Sequence, residues 1–294
     1  MYFELRNPLT QQFDTIVKAP FRSAVTSMTT TKLYTGIEQN VTFFYNQLQL
    51  SKHEKTTGRP LALSIIEIIT LAILKQVSGI ATKVALWKST EPKCSYKTLS
   101  ENFNHFAPLA LLIVKAICAF NRQCADKIKL TDSTDIPVCL NKNANQNRVM
   151  KGLAVWGHSG KGLYFGLKLH MTTDSERKIL SFSLTPANKD DRSQFQNLNS
   201  DLAGVFLADA GYVSEELRSS FYKENEKILF TAVRKNMKKL ITDWQYHLYN
   251  LRMRIELNFR SLKQFFGLVT SIPRSPKSMI ANYVYSLLAY CLAG

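Results

Sequence analysis

The sequence lacks the features of a secreted or zinc-stabilised protein. It contains five cysteines, with no Cys-x-x-Cys pair and no histidine at zinc-finger spacing. An odd number of cysteines without such a framework is typical of reduced thiols in the cytosol. The opening residues, MYFELRNPL, include an acid and a proline where a signal peptide has an apolar run. We therefore predict a cytoplasmic protein.

The sequence also lacks an obvious membrane span. Its most apolar tract is MIANYVYSLLAYCLAG at the C-terminus, with 16 residues. A helix needs roughly 18–20 apolar residues to cross a bilayer. The tract therefore predicts a buried terminal helix, and we expect no membrane partner.

Acidic residues are scarce relative to basic ones. Lys and Arg number 38 against 22 Asp and Glu, which gives a net charge of +16 and a pI near 9.6. The excess occurs in both halves of the chain, so both could face one polyanionic partner such as nucleic acid. A basic protein whose charge serves only solubility is the alternative.

The first 125 residues are predicted to be mostly helical. Ser64 and Glu67 have the spacing of a capping box, which predicts a helix from Ile65 to near Gly79. Further helices are predicted over IATKVALWKS, SYKTLSENFNHF and PLALLIVKAICAFNRQCADK, the last two separated at Pro108. With 294 residues, the chain has room for two domains. We predict that residues 1–125 form a helical DNA-binding region. A plain helical bundle is the alternative, and residues 1–57 give few signals.

From residue 126 onward, strands alternate with helices. Strands are predicted over KIKLTDS, GLYFGLKLHMTTD, KILSFSLTP, GVFLAD and EKILFTAV. Helices are predicted over SEELRSSFYKEN, with Ser214 as N-cap, over one long segment WQYHLYNLRMRIELNFRSLKQFFG that ends at Gly267, and over SPKSMIANYVYSLLAYCLA. Residues 126–294 therefore form a predicted α/β domain with a mixed sheet.

Two predicted strands end in a carboxylate. Asp132 stands in LTDST and Asp209 in LADAGY. The ends of strands in α/β sheets are where sites are built, and a buried Asp needs a cation or a hydrogen-bond network. Either aspartate alone could instead have a purely structural role.

A third carboxylate lies in a strongly basic helix. On a continuous helix, Tyr249, Arg252, Glu256 and Lys263 fall on one arc beside an apolar stripe. An exposed Arg252–Glu256 pair of little energetic value is the structural alternative. Three carboxylates from distant segments could hold two Mg²⁺ ions about 4 Å apart for phosphodiester chemistry, while Arg and Lys hold phosphates.

These motifs resemble those of the DDE transposases of bacterial insertion sequences, within the RNase H-like transposase and integrase superfamily. ADAGY matches the D-x-G-[YF] signature around the second acid, and residues 249–263 match Y-x2-R-x3-E-x6-K around the third. The resemblance implies an RNase H-like mixed sheet flanked by helices. It implies Mg²⁺-dependent strand cleavage at element ends and strand transfer, with Mn²⁺ able to substitute. It implies a bacterial protein that binds double-stranded DNA, at terminal inverted repeats and target, and acts as a homodimer in the synaptic complex.

The resemblance also assigns roles by position. Asp132, Asp209 and Glu256 would be the catalytic metal ligands. Tyr249, Arg252 and Lys263 would contact DNA.

Some alternatives remain open at this stage. Asp135 could replace Asp132 as the first acid, although the two face opposite sides of a regular strand. Asp190 and Asp191 are predicted to cap a helix, with a supporting role beside the metal ligands as the alternative. His170 is predicted to be a satisfied sheet residue on one face with Lys168, with a ligand role as the alternative. An RNase H-like nuclease without strand transfer, or an inactive DNA-binding protein derived from a mobile element, are the alternative functions.

Overall fold

The computed structural model describes residues 30–54, 57–58, 60–212, 214–223, 227–231, 242–269 and 275–293. About half of the N-terminal segment 1–57 therefore lies outside the described residues. The helices are α1 Thr30–Gln47, α2 Ile65–Val77, α3 Lys83–Thr90, α4 Tyr96–Cys124, α5 Asp191–Asn199, α6 Glu215–Lys223, α7 Asp243–Asn250, α8 Met253–Phe265 and α9 Pro276–Ala293. The strands are β1 Ile128–Pro137, β2 Val155–Ser159, β3 Gly162–Asp174, β4 Ile179–Pro186, β5 Val205–Ala208 and β6 Ile228–Thr231.

The chain divides into two compact units. A helical unit comprises Met1–Lys115, Phe265–Ser271 and Lys277–Gly294, and a second unit, which holds the sheet, comprises Ala116–Gln264 and Ile272–Pro276. The last helix thus groups with the N-terminal helices, whereas the sequence predicts a single boundary between residues 125 and 126. A DNA-binding role for residues 1–125 stays a prediction.

The ends of α2 follow the predicted local chemistry. The Ser64 side chain accepts from the Glu67 backbone N–H, and the Glu67 carboxylate accepts from the Ser64 N–H at 2.7 Å, which completes the capping box. Gly79, with φ of 65°, then ends the helix, and the Ile80 N–H donates to the Lys75 carbonyl at 3.0 Å. Glycine adopts this left-handed conformation at little steric cost, because it has no Cβ.

Two helices predicted on either side of Pro108 are in fact one. α4 runs unbroken from Tyr96 to Cys124 with Pro108 inside it. Proline removes one backbone donor and crowds the preceding turn, but apolar side chains on both sides, such as Phe103 and Ile113, are buried. Their burial outweighs the local cost of the proline.

The helical unit is held by an apolar core and a few buried polar contacts. The Gln76 side-chain amide donates to the Asn282 side-chain oxygen at 2.8 Å, and the Tyr285 hydroxyl donates to the Phe103 carbonyl at 3.0 Å. These bonds join α2 and α4 to the predicted buried terminal helix, α9. Among the described helices, α4 alone is long and apolar enough to cross a membrane, but half of that apolar window is buried inside the protein, as in a core helix.

The second unit is built on a six-stranded mixed sheet. The strand order is β2-β3-β1-β5-β6, and β4 pairs with β3. β3 runs antiparallel to β1, β2 and β4, whereas β5 and β6 run parallel to β1. β2 and β4 follow each other along the same edge of β3, because β2 pairs with 162–166 and β4 with 167–173. This arrangement confirms the predicted RNase H-like mixed sheet, although β2 was not predicted.

One face of the sheet packs against α5 and α6 through an aromatic cluster. The Phe206 and Phe221 rings meet edge to face with centroids 4.9 Å apart, and Phe195 contacts both. Leu180 joins this cluster from a bulge in β4, where the pairing with β3 shifts by one residue. Side chains that alternate with this cluster along β1 and β5 face the opposite side of the sheet.

The long helix predicted from Trp244 to Gly267 is two helices. α7 ends at Asn250 and α8 begins at Met253, and the residues between them make bonds to the third preceding residue, such as Arg252 N–H to Tyr249 O at 3.0 Å. Neither Pro nor Gly stands at this break. The predicted C-terminal stop is confirmed, since Gly267 has φ of 61°.

Candidate active site

Asp132 and Asp209 extend from neighbouring parallel strands. Leu130 of β1 pairs with Leu207 of β5, and each aspartate lies two residues further along its own strand. In-register residues of parallel strands point to the same face, and adjacent strands are about 4.8 Å apart. The sheet therefore brings the two acids to one face, opposite the aromatic cluster.

A short turn fixes Asp209 at the end of β5. Residues Ala210–Tyr212 form a 3-10 turn in which the Tyr212 N–H donates to the Asp209 carbonyl at 3.0 Å. The Tyr212 ring is buried in the cluster with Phe195. The tyrosine of the D-x-G-Y signature thus anchors the turn on one side of the sheet while Asp209 is exposed on the other.

Glu256 arrives from the first turn of α8, and Arg252 connects it to β1. Arg252 Nη2 lies 3.0 Å from Glu256 Oε1, and Nη1 lies 3.4 Å from Asp132 Oδ2. The Arg252 side chain is only 13% exposed. One guanidinium therefore contacts two carboxylates that stand 124 positions apart in the sequence.

Tyr249 connects Asp209 to the Arg252 guanidinium. Its hydroxyl lies 3.5 Å from Asp209 Oδ1, and the Arg252 guanidinium lies over its ring, 5.4 Å from the centroid. This distance fits a cation–π contact. Tyr249 and Arg252 together place Asp132, Asp209 and Glu256 around one locus.

The electrostatics of this locus favour a positive charge. Burial, aided by the charges of Asp209 and Asp191, raises the pKa of Asp132 to about 7, while the Ser133 N–H and Arg252 oppose the shift. A carboxyl group in this state gains from a neighbouring cation. Within the described residues, no group of three or more His, Cys, Asp and Glu side chains is placed to hold a metal ion.

The remaining residues of interest form separate contacts. Lys263 Nζ lies 3.1 Å from Asp135 Oδ1, so the two alternative first acids have different cationic partners. In the structure the predicted DNA contacts Tyr249, Arg252 and Lys263 each contact an acid of the protein.

The Lys168, His170 and Asp191 side chains lie together. Asp191 Oδ1 is 3.0 Å from Lys168 Nζ and 3.5 Å from His170 Nδ1, and His170 Nε2 is 2.8 Å from Thr185 Oγ1. Asp190 takes the N-cap position of α5 without a side-chain capping bond. The sequence predicts Asp191 as a helix cap, with a supporting role beside the metal ligands as the alternative, and in the structure its charge acts on Asp132. The sequence signal for this role is that Asp191 follows Asp190 directly, so that one acid can occupy the N-cap position while the other faces the sheet.

Comparison with known proteins bears directly on this site. The family model described as Transposase DDE domain matches residues 122–275, just over half of the chain. The chain belongs to the DDE transposase family. The match spans all three acids and the signature residues from Tyr249 to Lys263, and no curated protein matches the sequence significantly.

The similarities of this DDE transposase to solved structures are weaker than the family match. A piggyBac transposase synaptic complex with hairpin DNA is 8% identical, covers 99% of this chain and 75% of that chain, and has a TM-score of 0.49. The Mos1 strand transfer complex is 14% identical, covers 98% of each chain and has a TM-score of 0.23. At these values the structural similarities carry no argument about function.

Proposed function

We propose that this DDE transposase cleaves DNA at the ends of its element and joins those ends to target DNA, using Asp132, Asp209 and Glu256. One observation carries the proposal: Arg252 and Tyr249 contact all three acids, which come from β1, the end of β5 and α8. A purely solvent-exposed Arg252–Glu256 pair would not need the contact with Asp132. We place this activity with its DNA in the cytoplasm.

The oxygen donors of the three acids match the ligand type that a divalent metal takes, although the described residues do not yet group them closely enough to hold an ion. Mg²⁺ prefers oxygen ligands, and Mn²⁺ accepts the same ligands. Burial raises the pKa of Asp132 to about 7, and a divalent cation would favour its ionised form. Asp132, Asp209 and Glu256 would therefore hold the metal, which when bound activates an attacking oxygen and stabilises the leaving oxygen at a phosphodiester.

Protein cations would position the DNA. Arg252 contacts Asp132 and Glu256, so a metal at these acids would free its guanidinium for phosphate oxygens. Lys263 contacts Asp135, and a DNA phosphate would compete with that carboxylate for its ammonium group. Arg binds phosphate in a bidentate manner, and Lys as a point charge. We assign Asp132 rather than Asp135 as the first acid, because Asp132 shares its cation with Glu256 whereas Asp135 is paired with Lys263.

A plasmid assay tests the proposal. Supercoiled DNA that carries the gene and its flanking sequence is incubated with protein and Mg²⁺, and excised and joined products are quantified. Asp132→Ala, Asp209→Ala and Glu256→Ala should each lower product formation by roughly a thousandfold or more, as loss of several kcal/mol of metal stabilisation requires. Asp201→Ala, at an acid that is 75% exposed and paired with Arg122, is the matched control.

The products separate the alternatives. Metal-dependent cutting without joined products would identify a nuclease without strand transfer. DNA binding without cutting under any metal would identify an inactive DNA-binding protein. Full activity in any of the three Ala variants, each folded by circular dichroism, would refute the assignment of that acid.

A further inference from the structure

The β2–β3 hairpin exposes an apolar face that the catalytic proposal does not use. Trp156 of β2 pairs with Phe165 of β3, and His158 pairs with Leu163. Trp156 is 42% and Leu163 is 62% exposed, and the Trp156 and Phe165 rings meet with centroids 5.7 Å apart. We call Trp156, Leu163 and Phe165 the hairpin face.

Close backbone packing holds the hairpin face in place. A Cβ on Gly157 would lie 2.6 Å from the Ala187 side chain, and one on Gly166 would meet the carbonyl of Ile136. Only glycine permits these approaches. The Asn141 side-chain amide also donates to the Leu163 carbonyl at 2.7 Å. The aromatic residues therefore stand on a fixed support rather than on a free loop.

The hairpin face lies on the same side of the sheet as Asp132. Asp132 pairs directly with Met171, and along β3 residues 163, 165 and 171 point to one side because side chains alternate. Phe165 is six residues from Met171, which is about 20 Å along the strand. A nucleic acid at the candidate active site would reach the hairpin face after about six nucleotides.

The segment that carries the hairpin face is basic. No Asp or Glu occurs from Ile136 to Thr173, while this stretch contains five cations: Lys142, Arg148, Lys151, Lys161 and Lys168. Lys142, Arg148, Lys151 and Lys161 are exposed. Lys161 lies near the candidate active site, because it is close enough to Lys263 for its charge to lower the pKa of Lys263. Burial lowers the pKa of Lys263, Asp135 opposes that shift and Lys161 adds to it.

We propose that the hairpin face binds an unpaired segment of the DNA substrate, with a base stacked on Trp156 and the phosphates held by Lys161 and its basic neighbours. This inference rests on the proposed function. Exposed aromatic rings in a basic groove are the features by which proteins bind single strands. A protein partner is disfavoured, because the segment that forms the hairpin face carries exposed cations and no acid of its own, which favours a polyanion.

Binding measurements without metal test this inference separately from catalysis. The full-length protein is titrated with a mixed-sequence oligonucleotide of about 30 nucleotides, as a single strand and as a duplex. Trp156→Ala should weaken single-strand binding roughly 5- to 100-fold and duplex binding much less. Trp156→Phe should restore most of the affinity, and Lys161→Ala should lower the salt slope on single strands by about 0.7.

Tyr222→Ala provides the matched control. Tyr222 is 58% exposed on α6, a helix that packs against the opposite face of the sheet, so its loss should leave single-strand affinity unchanged. Unchanged affinity of Trp156→Ala, equal losses on single strand and duplex, or a change in oligomer size instead of DNA binding would each overturn the inference. A wild-type protein that binds single strands through Trp156 but cuts no DNA would instead refute the proposed function alone.

Discussion

Arg252 is the residue on which the candidate site depends. Its guanidinium contacts Asp132, which is 18% exposed, and Glu256, which is 43% exposed. Arg252 is the cation that contacts Asp132 within the described residues. A buried carboxylate that loses such a cation is left with an uncompensated charge, and such losses are strongly destabilising. Metal binding by the same carboxylates requires Arg252 to give up at least one of these contacts. Arg252 and a metal ion should therefore compete for the same acids.

Arg252→Ala tests this competition. Without metal, the variant should lose about 2 kcal/mol of unfolding free energy, because Asp132 stays buried without its cation. Since the acids are then free of a competitor, Mg²⁺ should bind more tightly and raise the thermal unfolding temperature more than in the wild type. Thermal unfolding across a Mg²⁺ titration measures both effects.

Arg260→Ala is the control for this prediction. Arg260 is an exposed arginine on the same helix, α8, so its removal should change neither the stability nor the Mg²⁺ response. A variant at Arg252 with wild-type stability and a wild-type Mg²⁺ response would show that the guanidinium is not a competitor of the metal.

At the scale of elements, the interruption between α7 and α8 shapes the site and could not be predicted. Helical periodicity continues through Leu251 and Arg252, and no Pro or Gly marks a break. In the structure the tightened turn coincides with the Tyr249–Asp209 and Arg252–Asp132 contacts, which are tertiary contacts between distant segments. The three acids and their spacing could be predicted from the sequence. The contacts that join them could not, because they involve Tyr249 and Arg252 at an interruption that has no local sequence signal.

Other elements show the same division between local and tertiary information. The capping box of Ser64 and the stops at Gly79 and Gly267 were predicted, since caps depend on a few neighbouring residues. The continuity of α4 through Pro108 was not, because the burial of its apolar face overrides a local preference. β2 was missed because its short segment VWGHS owes its pairing to β3, and a strand of this kind has little local signal.

Lys83 at the start of α3 gives the helical unit a predicted pH dependence. Its ammonium donates to Asn104 Oδ1 at 3.1 Å and Ser278 Oγ at 3.0 Å. Burial lowers its pKa to about 8, with a further contribution from Lys75. The unfolded chain therefore binds more protons between pH 8 and about 10.5, so the contribution of Lys83 to stability rises with pH across this range.

Comparison of the wild type with Lys83→Met isolates this effect from other titrating groups. The unfolding free energy of the wild type minus that of the variant, both measured with urea, should increase between pH 7 and pH 10. Lys88→Met, at an exposed lysine of the same helix, should show no such gain. A constant difference between wild type and Lys83→Met would contradict the lowered pKa.

At the scale of the whole molecule, charge and the proposed reaction point to an assembly on DNA. The net charge of +16 repels a second copy in free solution, and the phosphates of two element ends would offset that repulsion. In the proposed reaction, joining two ends would use two active sites, each with its own Asp132, Asp209 and Glu256. We therefore expect two copies to act together only once DNA is bound.

Mixtures of active and inactive chains test this expectation. The Asp209→Asn variant keeps the shape of the side chain and should still bind DNA, but it removes one carboxylate from the metal site. If joining needs an active site from each of two copies, an equal mixture at constant total protein should yield roughly a quarter of the wild-type joined product. Two independent monomers would yield about half, because each active chain would then work alone. Single-strand nicking, which needs one site, should fall to about half in the same mixture and thereby report the active fraction directly. Joined product that follows nicking in proportion would exclude the paired assembly.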